Sequence, residues 1–188
     1  MVRVGGMSSS AAKLKTYSLS AVSASPSKPG CLVQTATGHR IATDLPSLAG
    51  GADEAPQPVE LMLAALLGCK TATAHYVARN LWPRPHHRIH SIAFEDVTAE
   101  RDERGALTLP VDSDPPVTAA LLRVRGVARV RPASDVVTAA DVEQLGALVE
   151  HRCPVAATLT AAGCKLDFEW VLEPRVLDPR VLEPSSSG

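Results

Sequence analysis

The chain has 188 residues, enough for one domain with tails and a core that needs no covalent staples. Its 19 Lys and Arg nearly cancel its 20 Asp and Glu, and aromatic residues make up only 3%. That removes the electrostatic case for a nucleic-acid or membrane-surface binder, and leaves too few rings for a base-stacking platform.

Residues 1–12 read as a disordered leader. No acidic residue precedes Asp44, whereas Arg3, Lys13, Lys15, Lys28 and Arg40 do, in a stretch rich in Ser and Ala. Such beginnings suit organelle transit peptides. The expected compartment is the cytoplasm, or the mitochondrion if this segment is a transit peptide. No apolar core of a secretion signal is present.

Lys15–Ala24 has the β-branched and aromatic character of a strand. SPSKPG breaks it, and residues 31–46 then predict a hairpin folded at Thr37-Gly38. A Gly/Pro-rich loop, SLAGGADEAPQP, leads to PVELMLAALLGCK, where a helix is expected from Pro58 to about Asn80. Proline suits a first helical position because it has no N–H to leave unpaired, and Pro83 and Pro85 forbid continuation. Ala64, Ala65, Gly68, Ala72, Ala74 and Ala78 make this helix thin, open to close approach by other backbone. Glu60 and Lys70 interrupt the run and Arg79 closes it, so a buried core helix is expected rather than a membrane span.

SIAFEDVTAERDE and ALLRVRGVARVRPA carry strand character. The alternation in LRVRGVARVR fits a half-exposed sheet face, with a phosphate-binding stripe as the lesser reading. Thr138 is placed to cap a helix, TAADVEQLGALVEH, with acids in its first half. A short helix from Pro154 and a last strand, CKLDFEWVL, follow. VLEP, VLDP and VLEP then recur every five residues in a tail, 173–188, read as extended or docked on a neighbour. The element order β-β-β-α-β-β-α-α-β indicates an α+β fold.

The four cysteines form no CxxC pair and no zinc-ribbon spacing, and are too sparse for a disulfide scaffold. Cys31 and Cys164 are assigned to strands as structural residues. Cys69 has apolar helical neighbours, so by itself it reads as a core hydrophobe unless a cation from elsewhere stabilises its thiolate. Cys153 precedes Pro154 at a helix start, where the free N–H groups favour a thiolate, with His151 and Arg152 beside it. The spacing of His86, His87 and His90 fits no standard ligand pattern, and no metal or other cofactor is expected.

APQPVELMLAALLGCKTAT followed by HRCPVAATL resembles the OsmC/Ohr family, the osmotically inducible and organic hydroperoxide resistance proteins. TGHRIATDLP with the following Gly-Gly points to the OsmC-like branch. The resemblance covers about residues 13–172. It implies an intertwined homodimer in which curved antiparallel sheets wrap two central helices. It implies a thiol-dependent peroxidase for organic hydroperoxides, with Cys69 peroxidatic and Cys153 resolving at the dimer interface. A lipoyl group or small dithiol would restore the thiols. No nucleic-acid or membrane partner is expected.

In the Ohr type a Glu stands ten residues before the peroxidatic Cys and orients an activating Arg. Here that position is Val59, and Glu60 follows. One residue is about 100° of helical rotation. Glu60 would therefore point away from Cys69 on a continuous helix, and a non-helical start would bring it back. Arg40 is the candidate activating Arg, with Arg152 in reserve. The competing reading is a non-enzymatic redox sensor or small-molecule binding module that keeps the fold without Glu/Arg activation.

Overall fold

The structure is a computed structural model that describes residues 12–25, 28–84, 86 and 88–173. The expected leader up to residue 11, the tail from residue 174 and His87 lie outside the described residues. The chain divides into two compact units, Met1–Met62 and Leu63–Gly188.

The first unit holds β1 (Leu19–Ser23), β2 (Cys31–Thr35) and β3 (Arg40–Thr43), antiparallel and in chain order. The expected hairpin is present, with Leu32 opposite Ala42 and Gln34 opposite Arg40. The Gly/Pro-rich loop is organised by Asp44. Its carboxylate accepts the N–H groups of Leu45 (2.8 Å), Ala52 (2.9 Å) and Glu54 (3.2 Å). Gly51 allows this tight path, since a Cβ there would lie 1.8 Å from the Leu45 carbonyl oxygen. The sheet is largely bare: Leu19, Val22, Leu32 and Ile41 are exposed. A groove of about 700 Å³ runs over it, lined by Val22, Leu32, Val33, Arg40 and Ile41 among others.

Helix α1 (Pro58–Leu81) follows. Its buried residues are Leu66, Lys70, Thr73, Ala74, Val77 and Ala78, one stripe at helical spacing. By length and hydropathy α1 would suffice to cross a membrane. The expectation of a buried core helix holds for one stripe only. Met62, Ala64, Ala65, Gly68, Ala72, His75 and Tyr76 are exposed.

In the second unit, β4 (Ile89–Arg101) pairs antiparallel with β5 (Leu121–Pro132), and β6 (Lys165–Leu172) joins β5 in parallel. The expected sheets were antiparallel throughout. The difference arises because the chain returns to the sheet through two helices, the kind of long crossover that parallel neighbours require. A one-turn helix, α2 (Arg104–Leu107), precedes β5. Helices α3 (Ala139–Arg152) and α4 (Pro154–Ala161) pack on β6 and on each other. Thr138 and Asp141 form the capping box that starts α3.

The core comprises Val124, Ala128 and Val130 of β5 together with Val142, Leu145, Val149, Ala156 and Trp170, all buried. The basic residues of β5 are spoken for. Arg123 pairs with Asp167 (2.6 Å), Arg125 with Glu100 (3.8 Å), Arg129 with Glu95 (2.6 Å) and Arg131 with Glu173. Their charge is neutralised across the sheet, which overturns the phosphate-stripe reading. Cys31 opens β2 as expected. Cys164 is buried one residue before β6, not within a strand.

Trp170 reaches α3 because residue 146 is glycine. A Cβ there would lie 2.4 Å from the Trp170 ring, at its root rather than at a mobile end. Gly146→Ala is therefore expected to destabilise by about 1–3 kcal/mol despite its better helix propensity, read as a lower urea midpoint at unchanged slope.

The three N–H groups hold the Asp44 carboxyl below its ordinary range. A depressed folded-state value means that its stabilisation is complete above the unfolded value of about 3.9. It is lost as pH falls through the folded value. Amide protection at Leu45, Ala52 and Glu54 is expected to collapse in that acid window, and Asp44→Asn is expected to lower it already at neutral pH.

Candidate functional site

Two segments of the second unit carry the chemistry. Cys69 lies midway along α1, at the margin between its buried stripe and its exposed face, and is half-buried. Cys153 ends α3 and begins α4 with an extended backbone (φ −77°, ψ 114°), where Pro154 starts the next helix. Its side chain is fully buried. The two thiols, far apart in sequence, are near enough to influence each other, and both are free.

Their environments differ. Burial pushes the Cys153 thiol up, and the neighbouring Cys69 thiol adds to that. The N–H groups of Ala156 and Val155 pull the other way. The thiol makes no capping hydrogen bond, and burial wins. The activation expected for Cys153 from its helix-start position is thus reversed by desolvation, which outweighs the helix terminus. His151 and Arg152, proposed as cationic help, are exposed.

Lys70, the residue after Cys69, has no exposed surface. Its ammonium pairs with the Glu150 carboxylate and lies 4.3 Å from the centroid of the Phe168 ring. Trp170 Nε1 donates to the same carboxylate at 3.4 Å. Glu150 sits on the last turn of α3, three residues before Cys153. The residue next to one thiol is therefore tied to the turn that carries the other. Phe94 meets Phe168 and Trp170 edge to face, with centroids at 6.0 and 6.2 Å. That completes an aromatic wall around the ion pair.

Glu60 lies within the regular helix α1, and its carboxylate accepts the Gln57 N–H at 2.8 Å. It thus satisfies one of the donors left open where a helix begins. Arg40 is exposed at the start of β3 and lines the groove over the first sheet. Of the four candidate residues, the structure brings Cys69 and Cys153 together. His86 is engaged by Ser134 Oγ at 2.6 Å, and His90 is exposed on β4. Among the described residues no three His, Cys, Asp or Glu side chains converge on a metal position.

Sequence reasoning treated Lys70 only as an interruption of an apolar run and passed over Glu150 and Trp170. A charge inside such a run does signal a buried partner. The sequence offers many acids, and only the packing of α3 selects Glu150.

The family model described as OsmC-like protein matches residues 50–169. No curated protein matches significantly. Among solved structures, an OsmC-like protein from Mycoplasma pneumoniae is 20% identical with a TM-score of 0.62, covering 85% of this chain and 99% of its own. An organic hydroperoxide resistance protein from Elizabethkingia anophelis is 16% identical with a TM-score of 0.59, covering 87% of this chain and 99% of its own. An organic hydroperoxide resistance protein OsmC from Legionella pneumophila is 14% identical with a TM-score of 0.55, covering 87% and 100%. At such identities the likeness concerns the fold. The matched region takes in α1, the sheet of the second unit and both cysteine-bearing segments, and the chain belongs to the OsmC family.

Proposed function

We propose that this protein is a thiol-dependent peroxidase for organic hydroperoxides, working as a homodimer with Cys69 peroxidatic and Cys153 resolving. The observation that carries the reading is the asymmetry of two neighbouring thiols. Cys69 is partly accessible, whereas Cys153 is buried and held protonated by that burial.

The Cys69 thiolate attacks the distal oxygen of the hydroperoxide. An S–O bond forms as the O–O bond breaks, and the alkoxide leaves and takes up a proton as the alcohol. Cys69 is then a sulfenic acid. The Cys153 sulfur attacks it, the S–S bond forms, and hydroxide departs with the thiol proton as water. A dithiol, such as a lipoyl group or a small dithiol, reduces the disulfide by exchange and is itself oxidised. A thiol that stays protonated until this second step does not compete for peroxide and brings the proton that the leaving hydroxide needs. Arg40 is proposed as the cation that favours the Cys69 thiolate; Glu60, on the regular helix α1 and engaged by the Gln57 N–H, is not placed to orient it.

The exposed apolar residues of the first sheet and of α1 support the dimer. Ultracentrifugation is expected to give twice the chain mass, and a monomer at micromolar concentration would contradict it.

A second reading, a redox sensor or small-molecule binding module, draws on the engagement of Glu60 at the helix start and on the groove over the first sheet. Assays with an alkyl hydroperoxide and a dithiol separate the two. Cys69→Ser is expected to abolish turnover. Cys153→Ser is expected to consume one equivalent to reach the sulfenic acid and a second to accumulate sulfinic acid, read by intact-protein mass. Arg40→Met is expected to slow the first oxidation at least about tenfold. Disulfide formation without catalytic peroxide consumption would favour the sensor, and full activity in Cys69→Ser would sink the peroxidase.

A further inference from the structure

An ion pair with a buried member is poor evidence of stability, because desolvating the buried charge offsets much of the attraction, and an apolar pair of similar volume often serves as well. Here Lys70 is fully buried and Glu150 partly exposed. Lys70 and Glu150 are nevertheless placed with care. Lys70 directly follows Cys69 on α1, and Glu150 is one turn before Cys153 on α3. The ammonium is fully buried, bonded to the carboxylate and seated on Phe168. Trp170 donates to the same carboxylate oxygen, Oε1, at 3.4 Å, and its ring rests on Gly146 of the same α3.

A disulfide tolerates only a narrow range of sulfur and Cβ geometry. Cys69 and Cys153 lie on separate helices, and the ion pair crosses between those helices beside them.

We infer that Lys70 and Glu150 are positioning residues that hold the turn bearing Cys69 against the turn bearing Cys153, in the register in which the two thiols close a disulfide. They touch no reacting atom. Their effect is to raise the effective concentration of one thiol at the other. That determines whether oxidised Cys69 goes to the disulfide or on to sulfinic acid. The inference rests on reading the two cysteines as a redox pair.

The test uses the full chain equilibrated in buffers of reduced and oxidised dithiothreitol, with the Cys69–Cys153 disulfide quantified by mass after acid quench. No peroxide is needed, so the result is independent of catalysis. The apolar double variant Lys70→Met with Glu150→Leu is expected to weaken the disulfide at least about tenfold, a midpoint less negative by about 30 mV. With excess alkyl hydroperoxide, its ratio of sulfinic acid to disulfide is expected to rise several-fold. Glu150→Gln keeps the side-chain shape and the Trp170 contact. It is expected to shift the midpoint in the same direction, and it decides the matter if the double variant does not fold.

A midpoint within twofold of the unsubstituted protein in the folded variants would overturn the inference, whatever happens to thermal stability, and would leave the peroxidase reading standing. A normal disulfide midpoint in the unsubstituted protein with no peroxide consumption would remove the peroxidase reading alone. Absence of any Cys69–Cys153 disulfide in the unsubstituted protein would overturn both.

Discussion

A lysine without exposed surface sits against the sheet of the second unit, and much of that unit is arranged around its charge. An ammonium taken out of water needs an anion and further hydrogen bonding to be tolerated. Glu150 supplies the anion, Phe168 a ring face, and Trp170 an N–H to the carboxylate. Each of these sets a condition elsewhere. The last turn of α3 must face α1. Alternate residues of β6 must be aromatic on the same side of the sheet. Residue 146 must lack a side chain for Trp170 to fit. Removing Glu150 would leave a buried ammonium without its anion, which is destabilising, while replacing both partners by apolar groups is often neutral. Orientation explains the choice of a charged pair here better than stability does.

Beside that seam lie two chemically alike groups in unlike surroundings. Cys153 occupies a helix start, a position that by local rules lowers a thiol pKa, yet burial raises it. Cys69 sits in a helix that reads as apolar core, yet it falls on the boundary of the exposed face. Each thiol's local sequence suggests the opposite of its tertiary surroundings, because desolvation depends on what packs against a side chain and not on its neighbours in the chain.

The uncovered surfaces follow from the same helix. α1 has one apolar stripe packed inward and another, thin and rich in Ala and Gly, left open. At Gly68 even an added Cβ would meet nothing. The first sheet likewise presents Leu19, Val22, Leu32 and Ile41 outward. Two apolar faces of this kind on a chain of near-zero net charge are the expected marks of association. They give the proposed dimer its physical basis.

Local chemistry carried far in this chain. Pro58 and Pro83 bounded α1, Thr138 announced the capping box of α3, and Thr37-Gly38 marked the first hairpin, because capping and turn formation depend on residues within a few positions. PVELMLAALLGCK and HRCPVAATL together pointed to the family and to its two thiols. The one-turn helix α2 and the parallel pairing of β6 with β5 were not legible, since pairing partners and crossover direction depend on distant segments. The same holds for the basic alternation of β5, which suggested an anion stripe until Asp167, Glu100, Glu95 and Glu173 were seen opposite it. By itself the sequence determined the α+β class and the bounds of its main helices, and it singled out the two candidate thiols, all matters of short-range geometry and side-chain chemistry. Only the tertiary structure decided that Lys70 is buried against Glu150, that burial pushes the Cys153 thiol up and that α1 keeps one face open. Burial and the partner of a charge are properties of packing between segments remote in the chain.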